Sequence, residues 1–141
     1  LEFRRVLFRS DVRLDPASLD GLGAMLGAGG IVVHDDTRCM IKAARESMHF
    51  LKEESCGKCF PCRIGTTRMT EILDELGSGE PVRAGVMDEI ADLEEVLGET
   101  SACGLGLAEP YITRMLKKYW PDQIQERLNG TTPHSKGVTD E

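Results

Sequence analysis

Glu54-Ser55-Cys56-Gly57-Lys58-Cys59-Phe60-Pro61-Cys62-Arg63 carries three of the chain's five cysteines at intervals of three. A C-x-x-C-x-x-C run lets one short loop offer three thiolates to three corners of an iron–sulfur cube. The last corner then needs a cysteine from elsewhere in the fold. Cys103, in Ser101-Ala102-Cys103-Gly104-Leu105-Gly106, is the candidate. Four-iron clusters take four cysteine ligands, and close runs with one remote partner recur among them. Cys56, Cys59, Cys62 and Cys103 are therefore the expected ligands.

The surroundings suit an anionic cube. Lys58 and Arg63 bring positive charge. A helix after Cys62 would point unpaired N–H groups and its positive dipole end at the site. Gly57, Gly104 and Gly106 remove side chains where backbone must approach sulfur, and Pro61 stiffens the loop. Three other uses of the same cysteines stay open. Structural zinc also takes four cysteines, although its usual frame is two separated C-x-x-C pairs. Cys59-Phe60-Pro61-Cys62 has the spacing of a redox dithiol, a motif that belongs after a strand in a βαβ setting. Simple buried thiols leave three cysteines in seven residues unexplained. Cys39 is left over as a small buried or half-exposed thiol. His34, His49 and His134 are scattered, with His49 read as a solvated helical residue.

Outward from the loop, the pattern is helical from Asp35. Asp36 or Thr37 can cap a helix with apolar positions Ile41, Ala44, Met48 and Leu51, running to about Glu54. A second helix follows Cys62, carries Met69, Ile72, Leu73 and Leu76, and stops at Gly77-Ser78-Gly79. A third has Val86, Ile90, Leu93 and Leu97 and ends at Gly98. Its charged run, Asp88-Glu89 to Glu94-Glu95, reads as a wet face. A fourth opens near Pro110 with Ile112, Met115, Leu116 and Tyr119, and Pro121 opens a last one with Ile124 and Leu128. Before all these, residues 11–34 differ. Gly27-Ala28-Gly29-Gly30 leads into Ile31-Val32-Val33, a loop and a buried strand. In a dinucleotide fingerprint the glycines follow a strand and open a helix; here they precede one, so a turn is expected. Residues 129–141 are polar, without apolar period, and are expected to be disordered.

Leu1 to Ser10 resembles the translation of a sequencing-library adapter and is set aside from fold reasoning. The true N-terminus is then expected to lie upstream. Setting aside Arg4, Arg5, Arg9 and Glu2 from 17 basic and 24 acidic residues leaves 14 against 23, a net charge of −9 in place of −7. That balance argues against nucleic acid and against anionic membrane surfaces. No stretch approaches the roughly 18 apolar residues of a membrane span. Five cysteines, an odd number without secretory context, argue against a disulfide framework and for a reducing compartment. The expected fold is mainly α: a helical bundle over 35–128 holding the cluster.

Glu54 to Thr66 is similar to the E-S-C-G-x-C-x-P-C-R-x-G-T signature of the NADH-binding flavoprotein subunit of respiratory complex I. The signature also marks diaphorase subunits of NAD-reducing and bifurcating hydrogenases and the matching subunit of NAD-dependent formate dehydrogenases. Thr100 to Gly106 resembles the motif supplying the fourth ligand. Gly29 to Asp35 looks like the segment leaving that family's soluble-ligand-binding β-grasp domain, so 11–34 would be a remnant of it. The resemblance covers Gly21 to Leu128. It implies a C-terminal bundle with one [4Fe–4S] cluster, bound by Cys56, Cys59, Cys62 and Cys103, taking electrons from FMN reduced by NADH. The FMN and NAD(H) sites would lie upstream, outside this chain. It implies partner iron–sulfur subunits, a thioredoxin-like [2Fe–2S] subunit among them, and a cytoplasmic place, peripheral on the membrane face through a complex. Cys103-Gly104-Leu105-Gly106 leans toward the hydrogenase and formate-dehydrogenase types, since complex I more often has Cys-Ala-Leu-Gly. The alternative is a zinc-stabilised interaction module without a redox role.

Overall fold

The computed structural model describes residues 13–27, 29, 32–35 and 37–131, and among the described residues seven helices follow one another. They are α1 (Pro16–Asp20), α2 (Met40–Glu54), α3 (Phe60–Ser78), α4 (Val86–Thr100), α5 (Gly104–Ala108), α6 (Pro110–Tyr119) and α7 (Pro121–Leu128). The expectations for residues 1–10 and for most of the tail lie outside the described residues.

α2 and α3 form an antiparallel hairpin whose connecting loop is the cysteine run. Arg45 and His49 of α2 both reach Asp74 of α3, at 2.5 and 2.8 Å, which sets the two helices side by side with the loop at one end. The apolar positions anticipated on both helices meet in one core. Ile41, Met48, Met69, Ile72 and Leu73 are fully buried there, joined by Ile90, Leu97, Ile112 and Leu116 from α4 and α6. α3 ends at Gly79, whose φ of 90° is the left-handed conformation that closes a helix. α4 packs antiparallel to α3, with Arg68 and Arg83 both held by Glu89.

Several expectations are corrected. α2 begins at Met40, with Cys39 in the cap position, so Thr37 does not cap it; the other candidate, Asp36, lies outside the described residues. The Asp35 side chain instead closes a turn on the Thr37 amide at 3.0 Å, and the Met40 amide donates to Gln123 Oε1 of α7 at 2.9 Å. α3 begins before Cys62, so Cys59 is its cap residue and Cys62 lies in its first turn. α4 runs two residues past Gly98, where a side chain would meet Arg114 and Pro110 at 3.6 and 3.9 Å; that glycine serves the α4–α6 contact rather than the end. Glu94 is not on a wet face: it is 5% exposed because α6 crosses over it, and Lys117 donates to Oε2 at 2.8 Å. Leu128 faces out and Arg127 faces in. The Arg127 guanidinium is buried because it satisfies carbonyls of Leu76, Glu80 and Thr131 at 2.6, 2.8 and 2.9 Å, two of them at or just beyond the C-terminal end of α3, where a cation is favoured.

No described residue forms a strand. Val32 and Val33 are 57% and 82% exposed, since a strand is held by a ladder to a neighbour and the described residues offer none. α1 was not anticipated. Asp15 caps it through the Ser18 amide at 2.9 Å, with proline at its first position. Leu19 and Ala24 pack on Met115, and Lys118 Nζ and Tyr119 Oη both donate to the Leu22 carbonyl, at 2.6 and 3.2 Å. Beyond α7, the Thr131 amide donates to the Glu126 carbonyl at 3.0 Å. Among the described residues no helix is long and apolar enough to cross a membrane.

Candidate metal centre

The loop end of the α2–α3 hairpin meets the turn between α4 and α5. The Ala102 amide, one residue before Cys103, faces the Cys59 sulfur and, with the Cys62 amide, holds that thiol below its ordinary range. A side chain at Gly106 would lie 2.5 Å from Ser101 Oγ and 3.1 Å from Cys62 Cβ. The fold thus brings the Cys103 turn against the Cys59–Cys62 segment.

Exposure differs among the four. Cys56 and Cys103 are exposed, Cys59 is half-buried and Cys62 is 4% exposed. All five cysteines are free thiols. The Cys62 sulfur lies 3.3 Å from the Ser55 hydroxyl and donates to Glu109 Oε1 at 3.4 Å. Burial pushes the Cys62 thiol up; the Ser55 hydroxyl opposes that rise, and Glu109 adds to it. Glu109 stands at the break between α5 and α6, wholly buried, and burial pushes its carboxyl up to about 7. Among the described residues, no group of three or more His, Cys, Asp or Glu side chains is gathered closely enough to hold a metal ion. The Cys62 sulfur is engaged by Ser55 and Glu109 instead.

The donor set nevertheless fits an iron–sulfur cluster in kind. Four free thiols stand on two adjoining turns, and Ser101 Oγ is buried there with no protein partner. Thiolates are the ligands that iron–sulfur clusters take, and hydrogen bonds to their sulfurs tune them. Cys39 is 5% exposed within the apolar core at the far end of α2. His49 is occupied by Asp74. Lys58 is exposed, and Arg63 lies over the Phe60 ring at 5.9 Å. Of the glycines expected to approach sulfur, Gly106 is packed against the Cys62 side chain at its Cβ; Gly57 is in a left-handed turn (φ 67°), and a Cβ added at Gly104 would meet nothing within 4 Å. Glu109 was not anticipated; an acid directly before Pro110, between two apolar runs, was the available signal. An apolar cavity of about 460 Å³ lies elsewhere, between α2, α6 and the segment around Met25 and Val32, and no cysteine lines it.

The family described as NADH-ubiquinone oxidoreductase-F iron-sulfur binding region matches residues 42–127, a span that holds all four cysteines. The chain belongs to this family. It is an electron-transfer region of the [4Fe–4S] class found in F-type oxidoreductase subunits. The HndC subunit of the NADP-reducing hydrogenase of Solidesulfovibrio fructosivorans is 42% identical over 100 residues, covering 71% of this chain and 20% of that protein. The NADH-quinone oxidoreductase F subunit of Mycobacterium tuberculosis (strain ATCC 25618 / H37Rv) is 33% identical over 122 residues, covering 85% and 27%. Among solved structures, the crystal structure of an NAD⁺-reducing [NiFe]-hydrogenase in the H₂-reduced state is similar over 72% of this chain and 17% of that one, with a TM-score of 0.62 at 26% identity. The chain spans between 17% and 27% of the length of these three proteins. The mainly α bundle expected for the family is the fold observed.

Proposed function

We propose that Cys56, Cys59, Cys62 and Cys103 hold one [4Fe–4S] cluster that passes single electrons between a flavin and the iron–sulfur centres of partner subunits. The observation that carries this reading is the placing of Ala102 and Gly106 against Cys59 and Cys62, which joins two cysteine turns far apart in sequence. When bound, the cluster supplies one-electron redox chemistry at a potential set by charge, burial and hydrogen bonds to sulfur. The chain's own part is to position the thiols and shield Cys62. The named relatives are subunits of an NADP-reducing hydrogenase and an NADH-quinone oxidoreductase. On that basis we assign hydride chemistry, with its FMN and NAD(H) sites, to sequence outside this span. Residues 11–34 are read as the end of a β-grasp domain. A [2Fe–2S] subunit is the proposed neighbour, in a complex on the cytoplasmic side.

The test is iron and sulfide reconstitution followed by visible spectroscopy and serine replacement of each cysteine in turn. A broad brown absorption with about four irons per chain is expected. Cys56→Ser, Cys59→Ser, Cys62→Ser and Cys103→Ser should lose it, and Cys39→Ser should keep it. Colourless protein holding one zinc would favour a structural module, and equal iron loss on Cys39→Ser would sink the ligand assignment.

A further inference from the structure

Two hydroxyls stand near Cys62 on different turns: Ser55 contacts its sulfur, and Ser101 has no protein partner. Ser55 Oγ lies 3.3 Å from the Gly57 amide and 3.3 Å from the Cys62 sulfur. An amide N–H only donates, so the hydroxyl accepts there and its single proton remains for the sulfur. A thiolate at Cys62 has no proton of its own and can only accept. The direction of the Ser55 contact is then settled: O–H to sulfur.

Ser101 stands on the turn that leads to Cys103. Its Oγ is buried and has no protein partner, which is unfavourable for a hydroxyl. Glycine at position 106 leaves room for both residues: a Cβ there would stand 2.5 Å from Ser101 Oγ and 3.1 Å from Cys62 Cβ. A buried donor without a protein acceptor, beside a cysteine read as a ligand, is matched to an anionic sulfur. Resting on the cluster reading above, we propose that Ser55 and Ser101 are the positioning hydroxyls that raise the reduction potential of the centre through Cys62. Reduction adds negative charge that spreads over the sulfurs, so a donor aimed at them favours the reduced form more than the oxidised one. No proton is transferred in this step; the hydroxyls remain donors in both states.

The experiment is potentiometric titration, followed by electron paramagnetic resonance, of the chain reconstituted with iron and sulfide, alongside Ser55→Ala, Ser101→Ala and Ser55→Thr. Iron and sulfide are counted in every sample, and urea unfolding is measured on each cluster-free chain. The expected result is unchanged iron in all variants. Each alanine variant should lower the midpoint, by up to about a tenfold change in the oxidised-to-reduced ratio, or about 59 mV for one electron. Ser55→Thr should restore the wild-type midpoint. Cluster-free Ser101→Ala should be as stable as the parent or more so, since its hydroxyl has no protein partner to lose; a merely structural serine would show the opposite pattern. Unchanged midpoints with intact iron would overturn the proposal and leave the cluster reading standing. Wild-type protein that takes up no iron would overturn the cluster reading itself.

Discussion

Replacing Gly65 with alanine tests whether this glycine of the cysteine signature serves the metal or the packing. Its Cα sits where α3 crosses α4, and an added Cβ would stand 2.7, 3.0 and 3.3 Å from three carbons of Leu97. Leu97 is wholly buried in the core. Overpacking of this kind costs about 1–3 kcal/mol, while alanine in a helix interior gains about 1 kcal/mol over glycine. The balance is a net loss of up to about 2 kcal/mol. Gly77, in the last turn of the same helix, is the control. A Cβ there meets the Arg45 side chain alone, at 3.4 Å, so Gly77→Ala should keep most of the propensity gain, about 0.5–1 kcal/mol. Urea unfolding of cluster-free protein, followed by far-ultraviolet circular dichroism, gives both values from midpoint shifts at constant slope. In a double-mutant cycle, Leu97→Ala should remove the cost of Gly65→Ala. The packing argument is refuted if Gly65→Ala gains as much stability as Gly77→Ala. Lost iron with unaltered stability would tie Gly65 to the metal instead.

Arg127→Ala should cost about 2–4 kcal/mol in thermal unfolding, because three carbonyls lose a charged donor in a buried place. Arg127→Lys should recover less than half, since a point donor cannot span three diverging acceptors. Glu89 is held below its usual value of 4.5 by its hydrogen bond from Arg68 and by Arg83. A depressed carboxyl stabilises the fold above its unfolded value and loses that contribution as pH falls through the folded one. The stability gap between wild type and Glu89→Gln should therefore be present at pH 7 and shrink below about pH 4.5, with a size under about 1 kcal/mol for a partly exposed pair; a constant gap would contradict the pairing. Purified residues 11–141 with added FMN should show no NADH-to-ferricyanide turnover, because the described residues contain no strand–glycine-loop–helix that could seat a pyrophosphate. Turnover above the protein-free control would point to a cofactor site around Gly27 to Gly30.

Helix existence was legible wherever three- and four-residue apolar spacing met a local stop signal. Met69, Ile72, Leu73 and Leu76 with Gly79 is the plainest instance, and Pro110 and Pro121 marked the starts of α6 and α7. Features set by distant residues were not legible. The start of α2 depends on Gln123, which no local pattern around Asp36 or Thr37 announces. Glu94 looked like its charged neighbours until α6 crossed it with Lys117. Arg127 and Leu128 exchanged the faces that hydropathy gave them because open carbonyls of α3 required a donor. The Asp15–Pro16 start of α1 was local and readable, but five residues are too few for an apolar period to show. At the centre, the cysteine spacing pointed to the ligands. The company of Ser101 and Glu109 came only from the fold, since neither belongs to a repeated spacing.

α7 completes two helices that precede it. Gln123 occupies the open amide at the start of α2, and Arg127 occupies open carbonyls at the end of α3. Both lie at the hairpin end opposite the cysteine loop. In synthesis from the N-terminus, α2, the cysteine loop and α3 emerge with those backbone groups still facing water. Cys103 follows, and the two closing side chains come last. The order of translation is thus thiols first, bracing afterwards. Until the ribosome has passed Arg127, the cysteine run is carried by a hairpin whose far end is unlatched, reactive sulfur on a scaffold not yet shut.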